Sequence, residues 1–476
     1  MTLAVSATAH LQTDLAAIVG ERHVVSRATA LLAYESDALP GYQLKPSLAV
    51  FPGTRDEVVA VMRRLAVDGL PFVARGAGTG LSGGALADGV VLLGLQRLKH
   101  IIRVDAESRT ATVEPGVVNA VLSREVAALG LHYAPDPSSQ SACTLGGNLA
   151  ENAGGPHCLK YGVTLNHVLR ATVALPSGEV VELDRGDQGG YDLLGAFVGS
   201  EGCFGVALEL TVKLTPNPEG VITMLADFPT VRAAAEATSQ IVAAGILPAA
   251  LELMDQPTIR AVEESIYAAG YPTDAAAVLL IEVDGALAGL EADADAVAAL
   301  CTASGARAVQ RATDAAARAK LWQGRKKAFG AMGRVAPHLV VQDAVVPRTM
   351  LADLLEDIAA IGTTHGVRVC NVFHAGDGNL HPNIPYDAAN ADEATRVHAA
   401  MGAIMSRCIA AGGSITGEHG VGLDKLPYME ELFTPDTLDA MCSLRESFDA
   451  DRRANPGKVV PVRSCREWHA TPAGRG

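Results

Sequence analysis

The hydrophobic pattern changes period near residue 218. Between residues 46 and 218 the apolar runs are short and glycine turns are frequent. Residues 49–51, 72–74, 90–93, 110–114, 169–175 and 206–214 predict strands. Residues 55–68 and 118–129 carry apolar side chains three to four apart and predict helices. From residue 219 the chain is alanine-rich and the periods lengthen. Residues 231–244, 286–303, 313–330 and 349–365 predict helices, and 278–283, 339–345 and 367–373 strands. Residues 1–45 predict a helical lead-in, and the tail after Gly420 is helical to about Phe448. The expected organisation is a lead-in (1–45), an α+β domain (46–218), a second α+β domain with an antiparallel sheet (219–420), and a helical C-terminal segment (421–476). The turn residues Asn217-Pro218-Glu219-Gly220 mark the main boundary.

Composition narrows the classes. At 476 residues with 49% hydrophobic content the chain can bury two or three cores. A net charge of −15 argues against nucleic acid as a partner. Asp14 and Glu21 interrupt any secretory leader, and no apolar run reaches the length of a membrane span. Cysteines 143, 158, 203, 301, 370, 408, 442 and 465 are scattered, with no Cys-x-x-Cys pair. This spacing argues against a disulfide framework or iron–sulfur cluster and for a reducing cytoplasm, with any membrane contact peripheral and through a partner.

Two glycine-rich stretches carry the first chemistry. Gly78-Thr79-Gly80-Leu81-Ser82-Gly83 matches a dinucleotide fingerprint and follows a strand, but no helix follows it, so a nicotinamide site is not expected. What remains is a strand–loop–strand whose backbone N–H groups can cradle phosphate, or an ordinary glycine hairpin. The second stretch, Thr144-Leu145-Gly146-Gly147-Asn148-Leu149-Ala150-Glu151-Asn152-Ala153-Gly154-Gly155, reads as a backbone-rich wall suited to a large planar or phosphorylated ligand.

Together with Arg75-Gly76-Ala77 and Gly199-Ser200-Glu201-Gly202-Cys203-Phe204-Gly205, these stretches resemble the flavin loops of the vanillyl-alcohol-oxidase/PCMH flavoprotein family. The resemblance implies a PCMH-type FAD-binding domain of two α+β subdomains. Residues 75–82 would wrap the pyrophosphate and 137–155 would run along the flavin. The implied FAD-binding residues are Arg75, Gly76, Ala77, Gly78, Thr79, Gly80, Leu81, Ser82, Pro137, Ser138, Gly146, Gly147, Asn148, Ala150, Asn152, Gly154, Tyr161, Gly162, Gly202 and Val206. Thr79 stands where some members carry a flavin-linked histidine, which implies non-covalent FAD.

The second constellation is His374-Ala375-Gly376-Asp377-Gly378-Asn379-Leu380-His381, followed by Gly417-Glu418-His419-Gly420. The glycines permit a reversal that brings two imidazoles to one point. Two histidines and a carboxylate leave an open position on a divalent metal, as a catalytic site requires. The reading is His374, His381 and Glu418 as ligands with His419 as base. The alternative is a hairpin whose histidines only bond backbone. Zinc suits a Lewis-acid role, with Fe²⁺ or Mn²⁺ as other candidates.

These segments resemble the C-terminal domain of FAD-linked D-2-hydroxy-acid dehydrogenases. That group includes cytochrome-linked D-lactate dehydrogenases, D-2-hydroxyglutarate dehydrogenases and the flavin subunit of bacterial glycolate oxidase. Gly324-Arg325-Lys326-Lys327, Asp343-Ala344-Val345-Val346-Pro347-Arg348 and Arg445-Glu446-Ser447-Phe448 are similar to the last of these. The resemblance implies oxidation of a metal-chelated 2-hydroxy acid, with hydride passing to the flavin N5. Arg325 would face the substrate carboxylate and Asn383 would lie near the substrate. For Arg325 the alternative is a solvated helix face. Phe329 stands where some members place a polar residue for a second carboxylate, which favours glycolate or lactate over 2-hydroxyglutarate. The electron acceptor would be a quinone, a cytochrome, an electron-transfer flavoprotein or an iron–sulfur partner subunit, in a homodimer or hetero-oligomer. The competing classes are a flavin-free non-haem iron oxygenase and a non-catalytic flavin-fold subunit.

Overall fold

The structure, a computed structural model, describes residues 5–185 and 190–461. Cys465 lies outside them. The described chain forms two compact units. Of the described residues, the first comprises 5–154, 163–185, 190–216 and 418–461, and the second 155–162 and 217–417.

The first unit holds two main sheets. In one, Leu48–Val50 and Phe72–Arg75 flank Val91–Gly94 in parallel, and Val24–Val25 adds an antiparallel edge. The helix Arg55–Val67 shows why this layer forms. Thr54 caps it by accepting from the Glu57 N–H, Asp56 and Glu57 sit in its first turn, and Val58, Val61, Met62 and Leu65 recur on one buried face. That face packs with Phe72, Val91, Leu93, Leu11 and Leu15. The other sheet is antiparallel, in the order Ile101–Asp105, Thr110–Val113, Val206–Lys213, Val168–Ala174, Val180–Asp184.

The stretch at 144–155 is not loop throughout, because Leu145–Glu151 is helical. Thr144 caps it by accepting from the Gly147 N–H, and a side chain at Gly146 would run into Pro115. Packing, with a cap, overrides the poor helix propensity of the glycine pair.

The second unit is built on an antiparallel sheet. Its strands run in the order Ala308–Arg311, Gly220–Phe228, Ala277–Gly285, Ala250–Asp255, Cys370–His374, Asn379–Leu380, Ala344–Val345, and Pro382–Tyr386 pairs with both Cys370–His374 and His338–Val341. The predicted strand at 339–345 therefore divides in two, and the predicted helix at 313–330 divides at Lys327. Side chains alternate across each strand. Ala250, Met254, Cys370 and Val372 face Ile259, Val262, Trp322 and Met332, from Gln256–Glu263, Ala315–Lys326 and Ala328–Met332. Positions 252 and 374 share that parity, which aims Glu252 and His374 at the same helical layer.

The seven described cysteines are free thiols. Burial pushes the Cys203, Cys301, Cys370 and Cys408 thiols up to about 12, which makes them inert packing residues. No described helix is long and apolar enough to cross a membrane.

Candidate functional site

In the second unit the histidine hairpin is a tight reversal. The strand Cys370–His374 turns through Ala375–Gly378 and returns with Asn379 opposite His374. Gly378 takes φ +76°, and a Cβ there would collide with the Val346 carbonyl. The turn brings the two imidazoles 5.2 Å apart between ring centroids, at 87°. One ring nitrogen of each lies within 4.8 Å of the other.

Each imidazole is held by its other nitrogen. His381 Nδ1 lies 3.1 Å from the Gln342 carbonyl, which only accepts, so Nδ1 donates and Nε2 keeps the lone pair. His374 Nδ1 lies 2.7 Å from Glu252 Oε1. Ligand histidines are commonly oriented in this way through the nitrogen that does not bind the metal.

Arg325 is 1% exposed, which removes the solvated-face alternative. Its helix points Trp322 and Arg325 inward and leaves Lys327 outside. Nε of Arg325 donates to Glu252 Oε2 at 2.6 Å, Nη2 forms an ion pair with the same oxygen at 2.5 Å, and Nη1 is buried without a hydrogen-bond partner. Asn383, fully buried, donates from Nδ2 to the His381 carbonyl at 2.6 Å, and its Oδ1 has no partner. Two imidazoles with tied-off Nδ1 atoms and two orphaned polar groups on their supporting residues suit a cation and a small anionic ligand.

Glu418 and His419 follow directly on this unit. Asp343 Oδ2 accepts from the Gly417 N–H at 2.9 Å and the Thr416 hydroxyl at 2.5 Å, fixing the chain one residue before Glu418. His419 Nε2 lies 3.8 Å from Glu418 Oε1. Just beyond, in the first unit, Glu201 accepts from the Val421 and Gly422 N–H groups at 2.7 and 2.8 Å. Burial pushes the Glu201 carboxyl above the usual carboxylate range, and those two N–H groups oppose the shift.

The glycine loops lie in the first unit. Residues 76–90 run from the strand Phe72–Arg75 to Val91–Gly94 with no intervening helix, as expected. Arg75 donates to the Ser36 carbonyl at 2.8 Å, so its guanidinium braces the lead-in. Gly78 has φ +70°. Pro137 and Ser138 enter a turn closed by Gln140 N–H to the Pro137 carbonyl. Asn148 faces inward, where its Oδ1 accepts from Asn119 at 3.0 Å, and Val206 is 1% exposed. Asn152 ends the short helix at φ +49° and accepts from the Leu165 N–H. The Ala150 carbonyl accepts from the Glu201 N–H.

Tyr161 and Gly162 belong to the second unit, where the Tyr161 hydroxyl donates to Asp284 at 2.5 Å. Bare backbone faces remain in the first unit. A Cβ on Gly80 would meet only Glu151 at 3.8 Å, one on Gly147 only the Thr144 hydroxyl at 3.3 Å, and one on Gly202 only Asn455 at 3.8 Å. The Ser82 and Ser200 hydroxyls are buried without partners. Glycine faces beside unsatisfied hydroxyls fit a large polar cofactor such as FAD.

Three residues escaped the sequence reading. Asp343 and Glu201 stood in the quoted motifs without a role. Glu252 stood in none, and its only signal is a carboxylate in the middle of Ala250–Asp255, a strand buried at all six positions.

The chain belongs to the FAD-linked oxidases. Residues 217–459 match the FAD linked oxidases C-terminal domain and 46–184 the FAD binding domain. It is thus an FAD-dependent oxidoreductase of the PCMH-type two-domain fold. It is 45% identical over 447 residues to the glycolate oxidase subunit GlcD of Escherichia coli, covering 92% of this chain and 89% of that protein. It is 40% identical to the glycolate oxidase subunit GlcD of Bacillus subtilis (95% and 97% covered) and 32% identical to D-lactate dehydrogenase of Anaerostipes hadrus (87% and 90% covered). Among solved structures, p-cresol methylhydroxylase shares the fold, with a TM-score of 0.83 at 15% identity, covering 96% of this chain and 97% of that one.

Proposed function

We propose that this chain oxidises a small 2-hydroxy acid of the glycolate or D-lactate type to the 2-oxo acid, and passes the electrons to a non-nicotinamide acceptor. The observation that carries the reading is the imidazole pair with both Nδ1 atoms engaged, supported by a buried guanidinium whose Nη1 has no partner. The relatives named for glycolate and D-lactate support the substrate class.

His374, His381 and Glu418 would hold the divalent cation, and the loops at 75–82 and 137–155, with Gly202, the flavin. Bound FAD supplies the two-electron acceptor, and a bound divalent cation supplies the charge that acidifies the substrate hydroxyl. Arg325 pairs with the substrate carboxylate, for which a planar guanidinium is well shaped. Asn383 offers its free Oδ1 to the substrate. His419 takes the hydroxyl proton. Phe329, in the helix following Arg325, offers no partner for a second carboxylate, which favours a short substrate over 2-hydroxyglutarate.

The test is an anaerobic absorption titration of the purified protein with D-lactate, L-lactate, glycolate and D-2-hydroxyglutarate, before and after chelator. The flavin band should bleach with D-lactate or glycolate and stop bleaching after chelation. His374→Ala should keep FAD and lose substrate-dependent bleaching. Normal bleaching of that variant with its metal gone would overturn the role given to the metal.

A further inference from the structure

Glu252 lies outside every motif that pointed to the site, yet it joins two of its parts. It stands directly opposite His374 on the adjacent antiparallel strand and is fully buried. Its two oxygens are divided between two partners. Oε1 lies 2.7 Å from His374 Nδ1, and Oε2 accepts from Arg325 Nε at 2.6 Å and is ion-paired with Nη2 at 2.5 Å. An ionised carboxylate only accepts, so it selects the His374 tautomer with the proton on Nδ1 and leaves the lone pair on Nε2. The same carboxylate engages two of the Arg325 nitrogens along one edge. That fixes the plane of the guanidinium and leaves Nη1, buried and unpaired, as the donor available to a ligand.

We propose that Glu252 is a positioning residue that sets two groups at once: the tautomer of His374 for a divalent cation, and the guanidinium plane of Arg325 for the carboxylate of the hydroxy acid. The proposal rests on the roles given above to His374 and Arg325. Its consequence is a linkage. A change at Glu252 moves cation affinity and substrate KM together and leaves FAD binding alone, because the glycine loops belong to the other unit.

Glu252→Gln isolates the effect. The amide has nearly the same shape but offers one accepting oxygen and one donating NH₂, so it cannot accept from both His374 and Arg325. The experiment uses full-length flavoprotein with ¹⁵N-labelled histidine. Ring nitrogens are read by NMR after the metal is stripped, zinc affinity is measured by competition with a chromogenic chelator, and KM and kcat are measured for glycolate and D-lactate. In the wild type His374 should carry its proton on Nδ1. In Glu252→Gln zinc affinity should fall about 10–100-fold. With zinc saturating, KM should rise more than kcat falls, and FAD content should be unchanged. Glu252→Asp, which keeps the charge, should recover part of both losses. An Nε2–H tautomer on His374 in the wild type would overturn the proposal without any variant, and so would unchanged zinc affinity and KM in Glu252→Gln. A wild type that binds no zinc would sink the cation role instead, and the tautomer comparison would still decide the role of Glu252.

Discussion

At the scale of single residues, Asp255 illustrates what a buried carboxyl costs. It accepts from Thr258 N–H and hydroxyl and from Asn371 N–H and amide, all within 3.1 Å. Even so, burial pushes it from 3.8 to about 6. A carboxyl raised in the folded state takes its proton there first. Its contribution is therefore fully present below pH 3.8 and is lost as pH rises through about 6. The shift corresponds to about 3 kcal/mol. Denaturation of wild type and Asp255→Asn at several pH values should show the wild type losing ground to the variant by about that amount across this window. A pH-independent difference would contradict it. Arg325 makes a second residue-scale point. The sequence left open whether it was solvated or buried, because only its helix's docking decides which side faces Glu252.

At the scale of elements, short-range chemistry was legible where a turn dictates conformation and illegible where packing does. The reversal between His374 and His381 follows from Gly378, whose φ of +76° and absent Cβ the hairpin needs. The helix Leu145–Glu151 was not legible, because a Gly-Gly pair weakens a helix that only its cap and its seat on Pro115 sustain. That helix carries a prediction. Gly147→Val adds a Cβ that meets only the Thr144 hydroxyl within the protein, so the FAD-free fold should change by about 1 kcal/mol. The purified variant should nevertheless be colourless and fail to reconstitute with FAD. Fully yellow protein would mean that this face lies away from the flavin.

At the scale of the whole molecule, the chain passes from the first unit to the second and back twice. The second return begins at Glu418 and ends in a tail fastened within the first unit. Arg445, 2% exposed, donates to the carbonyls of Ala454, Asn455 and Lys458. Asn455 and Lys458 in turn donate to the Gly84 carbonyl at 3.1 and 2.9 Å, just beyond the first glycine loop. Arg445→Met should orphan three buried carbonyls, lower the unfolding free energy of this unit by about 2–4 kcal/mol and weaken FAD retention. Gel filtration followed by a flavin spectrum, with a thermal melt alongside, checks it. Retention equal to wild type would show that the tail does not support the loop.

Most strands and helices, the glycine loops and the histidine hairpin are legible in the sequence. Each of these is written in a local period, a turn residue or a short motif. Folding in three dimensions alone places residues 155–162 in the second unit, where Lys160 and Tyr161 are held by Asp284, and brings Glu252 to His374 and Arg325. The partners of Glu252 stand 122 and 73 positions away in the chain. A hydrophobic period reports which side of an element is buried, but not which distant element it meets. A buried carboxylate finds its partners only when the sheet register is set, and that register is a property of the folded chain.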